Sequence, residues 1–134
     1  MKKFISLLFL TLVLGMTHGA LAQGTTKVQV RGGQQKSVAG GKVRIKLVSV
    51  EDSRCPANFK CRMAGNAKVM AEVSVRGGET RILEFNTYAR EGDGAGQIDA
   101  YHLKLTSLTP VPRSKQKLRT RDYIATFSVV GPKR

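Results

Sequence analysis

Along most of this chain the apolar positions recur every second residue. Val28 and Val30 alternate with Lys27, Gln29 and Arg31. Val43, Ile45 and Leu47 alternate with Lys42, Arg44 and Lys46, and Val69, Ala71, Val73 and Val75 with Lys68, Glu72 and Arg76. The pattern returns as Leu83 and Phe85, as Tyr101, Leu103 and Leu105, and as Tyr123, Ala125, Phe127 and Val129. Side chains at period two point to opposite faces, so each segment predicts a strand with one dry and one wet face. These make six strands, with a seventh around Gln35 to Ala39. No segment of useful length carries a helical period.

Turn chemistry agrees with the strands. Gly32-Gly33, Gly40-Gly41 and Gly77-Gly78 supply the positive φ that tight hairpin turns demand, and the 76-to-79 turn joins two strands with almost no slack. Short strands and glycine turns over about a hundred residues predict an all-β domain, an antiparallel β-sandwich or a small barrel. Two segments break the alternation. Residues 87 to 98, TYAREGDGAGQI, predict a long surface loop. Pro110 to Thr120 opens with two prolines that block ladder pairing and continues with a cation at every second position. In an extended chain that spacing projects Arg113, Lys115, Lys117, Arg119 and Arg121 to one side as a charged edge.

The start of the chain changes the setting. Lys2 and Lys3 precede an apolar run from Phe4 to Met16, and Ala20, Leu21 and Ala22 form a small-residue cleavage signal. Residues 1–22 therefore predict a secretory signal peptide, too short to serve as a transmembrane helix, and residues 23–134 a single β-rich domain. Export places the mature chain in the periplasm or the medium. Without its first 22 residues the chain keeps 21 basic against 9 acidic residues, a net charge of +12. That excess favours encounter with polyanions and says nothing about fold.

The only cysteines, Cys55 and Cys61, lie in EDSRCPANFKCRMAGNA, Glu51 to Ala67. In an exported chain a disulfide is the natural outcome, closing a short loop in which Pro56 suits the first turn of a helix. Zinc needs four ligands, and the mature chain offers two cysteines and one histidine. A redox pair needs Cys-x-x-Cys, which this wider gap is not. Around the loop, Asp52 and Ser53 can cap backbone amides, and Arg54 can pair with Glu51, Asp52 or a carbonyl across the loop. In the functional reading Arg54, Lys60 and Arg62 form an anion-binding rim.

The run Asp52-Ser53-Arg54-Cys55-Pro56, four residues, Cys61, one residue, Met63-Ala64-Gly65-Asn66-Ala67 resembles the signature of a family of small exported bacterial proteins. In that signature DSRCP and C-x-W-(A/E)-G-N-A stand four residues apart. The likeness covers residues 52 to 67 closely and the strands from about 26 to 130 more loosely. It implies export and one β-rich domain, and no activity. Met63 stands where the family has tryptophan, and a flexible thioether at that position predicts packing in the core rather than stacking on a ligand.

Enzymatic chemistry finds no parts. His102, the one histidine of the mature chain, falls on the polar side of its strand beside Lys104, with no serine, cysteine or carboxylate placed by it. Glu51, Asp52, Glu84 and Asp122 show no spacing of a catalytic pair, and Met63, Met70 and His102 are too scattered for a copper motif. No residue set for a cofactor or metal is present. The expectation is a non-enzymatic binding or interaction module of the bacterial envelope, with a protein or an anionic envelope component as partner. Two alternatives stand beside it. One is a direct binder of lipopolysaccharide or acidic polysaccharide through residues 113–121, the other an inhibitor of a secreted hydrolase. Export and inward-facing strand aromatics argue against nucleic acid.

Overall fold

The computed structural model describes residues 24–88 and 94–132. The signal-peptide reading and the centre of the loop expected at 87–98 lie outside the described residues. Among these residues eight strands form: β1 (Thr25–Arg31), β2 (Gln35–Val38), β3 (Val43–Asp52), β4 (Ala67–Val75), β5 (Thr80–Asn86), β6 (Ala95–Ile98), β7 (Tyr101–Thr109) and β8 (Ile124–Val130). They build two four-stranded antiparallel sheets, in the orders β1-β8-β7-β6 and β2-β3-β4-β5. The fold is thus a β-sandwich, stitched at one edge where the amide of Gly33 donates to the carbonyl of Leu47 at 2.8 Å.

The core is the sum of the dry strand faces. Val43, Ile45, Leu47, Val69, Ala71, Val73 and Phe85 of one sheet meet Val30, Ile98, Leu103, Ala125, Phe127 and Val129 of the other, all buried. Phe85 and Phe127 meet edge to face across the sheets, with ring centroids 5.1 Å apart and an interplanar angle of 64°.

Three expectations about the elements change. The segment expected as one loop holds the edge strand β6, whose Ile98 enters the core and whose Gly96 lies where a Cβ would meet Leu83 Cδ1 at 3.0 Å. Gly32-Gly33 does not close a hairpin between neighbours; it passes the chain from the first sheet to the second. Gly32 is held there because a Cβ would run into the carbonyl of Thr120. Pro56 opens a single turn, closed by the Phe59 amide on the Pro56 carbonyl at 3.1 Å, and no helix follows.

Two bulges set up the rest. The register of β3 on β4 shifts between Leu47 and Ser49, and that of β7 on β8 between Leu105 and Ser107. One extra residue reverses which face a side chain takes. Odd-numbered residues face the core before each bulge; after it Val50 packs on the core, Leu108 is buried, and the Asp52 side chain is only 3% exposed.

Register also sorts the connections between two ends. The turns 39–42, 76–79 and 99–100 lie at one end with the outer ends of β1 and β8. At the other end lie the β1–β2 crossing, the cysteine loop 53–66, residues 87 and 88, and residues 110–123.

Candidate functional site

The loop end is organised by the residues of the DSRCP and GNA runs, and almost all of their bonding capacity is directed inward. Asp52, turned to the dry side by the β3 bulge, receives the Arg54 guanidinium in a two-pronged pair. Arg54 Nη2 lies 2.6 Å from Oδ2 and Nε lies 2.9 Å from Oδ1. The fork then reaches the opposite sheet, donating from Nη1 to the Leu108 carbonyl at 2.7 Å and from Nη2 to the Pro110 carbonyl at 2.9 Å. One arginine therefore ties the base of the cysteine loop to the end of β7. Burial pushes the Asp52 carboxyl up, but the hydrogen bonds and charge of Arg54 outweigh it and hold the carboxyl below its ordinary value. Tyr123, buried beside it and bonded to Asp52, is pushed up to about 12 by burial and by the carboxylate's charge.

The second tie is Asn66. Its Nδ2 donates to Asn86 Oδ1 at 2.7 Å, and its Oδ1 accepts from the Tyr88 amide at 2.9 Å. Its carbonyl accepts from the Ser53 amide at 2.8 Å and the Ser53 hydroxyl at 2.7 Å, closing the neck of the loop. Gly65 is required there because a Cβ would collide with the Ser53 carbonyl. Thr87 completes the neck by accepting the Ala67 amide on its hydroxyl at 2.8 Å.

The tip is closed by the Cys55–Cys61 disulfide, whose Cα atoms lie 5.9 Å apart. It leans on the 110–123 connection, with the Ala57 amide on the Pro112 carbonyl at 2.9 Å and the Ser114 amide on Asn58 Oδ1 at 2.7 Å. Thus the two loops form one surface.

The expected site residues divide accordingly. Arg54, expected in the anion-binding rim, has its guanidinium engaged by Asp52 and two carbonyls, and its side chain is 14% exposed. Lys60 and Arg62 are exposed on the tip. Arg113, Lys115, Lys117, Arg119 and Arg121 are exposed on the adjoining connection. They do not form a straight ladder. The Gln116 amide turns back to the Arg113 carbonyl at 2.9 Å, Lys115 takes φ 66°, and Thr120–Asp122 is a 3-10 turn. Asp122 accepts the Arg119 amide at 2.8 Å, and Leu118 turns inward against the core. Among the described residues none of these seven cations is in an ion pair.

Met63 also departs from expectation. It is 81% exposed rather than packed, because residues 62–64 pass outside the neck that Ser53, Gly65 and Asn66 close. Phe59, at 63%, is its counterpart on the other side of Cys61. A shallow cleft of about 260 Å³ opens at the base, lined by Glu51, Asp52, Ser53, Asn66 and Lys68. No hydrophobic residue lines it, unlike the pockets that hold small organic ligands. Comparison with family models, curated proteins and solved structures returns no match. Among the described residues no helix is long and apolar enough to cross a membrane, and no cluster of His, Cys, Asp and Glu has the arrangement of a metal site.

Proposed function

We propose that the protein is an exported, non-enzymatic binding module of the bacterial envelope and that the loop end is its recognition surface. The observation that carries this reading is the division of labour within residues 52–67. The side chains at the base are consumed in fixing the loop, whereas Phe59, Lys60, Arg62 and Met63 at the tip are exposed. A sandwich of this size needs no 14-residue connection between adjacent strands to fold, since hairpins join such strands with two to five residues. A loop that is long and also stapled is held in shape for contact, because ordering it beforehand removes that cost from binding. The cleavage signal before Gln23 and the resemblance of DSRCP to exported bacterial proteins support the location.

The test is a photo-crosslinking amino acid placed at Phe59 and, separately, at Ile82 on the outer face of β5, in cells that express the full chain. The expected result is a partner product from position 59 and none from 82. Products from 82 alone would overturn the assignment of the surface.

A second reading, direct binding of an acidic polysaccharide through residues 113–121, is supported by five exposed cations with no acidic residue among positions 110–121. Its salt dependence separates it. Lys115, Lys117 and Arg119 changed together to serine should flatten the slope of log affinity against log salt on heparin by up to about three units. An unchanged slope leaves those cations as a solubilising edge.

A further inference from the structure

Of the six large hydrophobic side chains that stand exposed among the described residues, four belong to the loop end: Phe59, Met63, Tyr88 and Val111. Their backbone is joined. Residues 57 and 58 bond to Pro112 and Ser114, and Tyr88 is tied through Asn66 to the neck below Met63. Exposed apolar residues that gather at one place mark an interaction site. In the two segments that carry Phe59, Met63 and Val111 the charge has one sign. Residues 55–66 and 110–121 together hold Lys60, Arg62, Arg113, Lys115, Lys117, Arg119 and Arg121 and no acidic residue.

Given that the loop end is the recognition surface, we infer that it docks on an anionic phospholipid bilayer, with the Phe59 and Met63 tip entering the interface and the surrounding cations lying among the headgroups. Three observations favour a lipid surface over an acidic protein. First, the apolar side chains stand in solvent, Met63 at 81% and Phe59 at 63% exposure, and none of them lines the cleft at the base of the loop, where a partner's side chain would seat. Second, among the described residues no hydrogen bond or ion pair fixes the side chains of Lys60, Arg62, Lys115 or Lys117 in one direction. That suits headgroups which themselves move, and long basic side chains can keep their charge at the interface while their stems lie along apolar surface. Third, aromatic and basic residues mixed on one rim match the chemistry of the membrane–water boundary, where tyrosine lies at headgroup level and phenylalanine lies deeper. The disulfide and the Arg54 fork hold the tip out, so entry requires no ordering of the loop.

The chain contains no tryptophan, so Phe59→Trp installs a single reporter at the tip and Ile82→Trp one on the far sheet face. Each is mixed with vesicles of phosphatidylglycerol and phosphatidylethanolamine, and with phosphatidylcholine vesicles, at physiological ionic strength. The expected result is co-sedimentation with the anionic vesicles alone, a blue shift at position 59, and quenching of it by brominated acyl chains, with position 82 unchanged. Phe59→Ser should weaken partitioning about tenfold. Lys60→Ser and Arg113→Ser should each weaken it about fivefold, and added salt should weaken it further. Thermal melts of the same variants check that they fold. Absence of anionic-vesicle binding, or binding that Phe59→Ser leaves unchanged, overturns the inference. If vesicles fail while the crosslinker at position 59 captures a protein, the lipid partner is wrong and the recognition surface stands. If vesicles fail and crosslinks form only at position 82, both fall.

Discussion

The two ends of this sandwich are built from different materials. At one end, short backbone turns close the reversals. The chain reverses at Ala39–Lys42, Arg76–Glu79 and Asp99–Ala100, using positive φ at Gly40 (66°), Gly41 (82°) and Gly77 (71°). Contacts between the sheets there are long: Glu79 N to Asp99 Oδ2 is 3.5 Å and Arg81 Nη2 to the Gln97 carbonyl is 3.4 Å. At the other end, side chains replace turns. The Arg54 fork, the Asn66 neck and a disulfide hold connections several times longer, with cross-sheet bonds of 2.7 to 2.9 Å. Shortness accounts for the first end entirely. The second keeps its length and spends buried polar groups on rigidity, which is the physical basis for placing recognition there.

The largest effect should come from the fork. Arg54→Met leaves the buried Asp52 carboxylate and two carbonyls without their donor and should cost about 3 kcal/mol, read from denaturant unfolding. The same change at Arg81 of the hairpin end, whose pair with Glu79 has both partners about half exposed, should cost less than about 0.5 kcal/mol. Equal losses would erase the contrast between the ends.

Next comes the staple. Cys55→Ser with Cys61→Ser should cost about 2 kcal/mol by loop-closure entropy. Because the neck is closed independently by Ser53, Gly65 and Asn66, the variant should still fold, with faster amide exchange confined to residues 56–62. Asn66→Ala should follow at about 1 to 2 kcal/mol, since it frees the Asn86 side chain and the Tyr88 amide from their shared partner.

Titration sharpens the comparison, because the two groups shifted among the described residues belong to the loop end. Asp52 is held below its ordinary value of 3.8, so its contribution is present above that value and is lost as pH falls through the lower folded value. Tyr123 is raised from 10.0 to about 12, so its contribution is complete below pH 10 and is lost as pH rises towards 12. Tyr123→Phe should remove that alkaline decline relative to the parent protein in denaturation midpoints measured between pH 9 and 12. An identical alkaline slope in both proteins would separate Tyr123 from Asp52.

The smallest effect lies at the hairpin end and has the opposite sign. Ala39 holds φ 54° in the left-handed region, where glycine carries no steric cost, so Ala39→Gly should be neutral or stabilising by less than about 1 kcal/mol in thermal melts.

The strands were legible because each has one wet face, and the sequence reading recovered every long strand and the 76-to-79 hairpin. What it missed has local physical causes. The strand β6 has a single large apolar residue, Ile98, and a glycine that is small because Leu83 packs over it. The two bulges leave no mark in Val48-Ser49 or Thr106-Ser107, yet they decide that Asp52 and Leu108 face inward. Arg54 was readable as a loop ion pair, while its bonds to Leu108 and Pro110 depend on a second sheet that no spacing reveals. The period-two cations of 113–121 imitate a strand, but the chain turns at Lys115, a residue type that gives no warning of positive φ. Met63 is apolar and therefore looked buried. The signal that places it outside is Gly65, which marks how tightly the neck closes beneath it.

The claim that recognition belongs to the loop end is tested most directly by a hydrogen-exchange footprint of the protein with and without native envelope extract. The account predicts added protection over residues 56–62 and 110–117, with the turns 39–42 and 76–79 unchanged. Protection at those turns, with the cysteine loop exchanging as it does in the free protein, would contradict it.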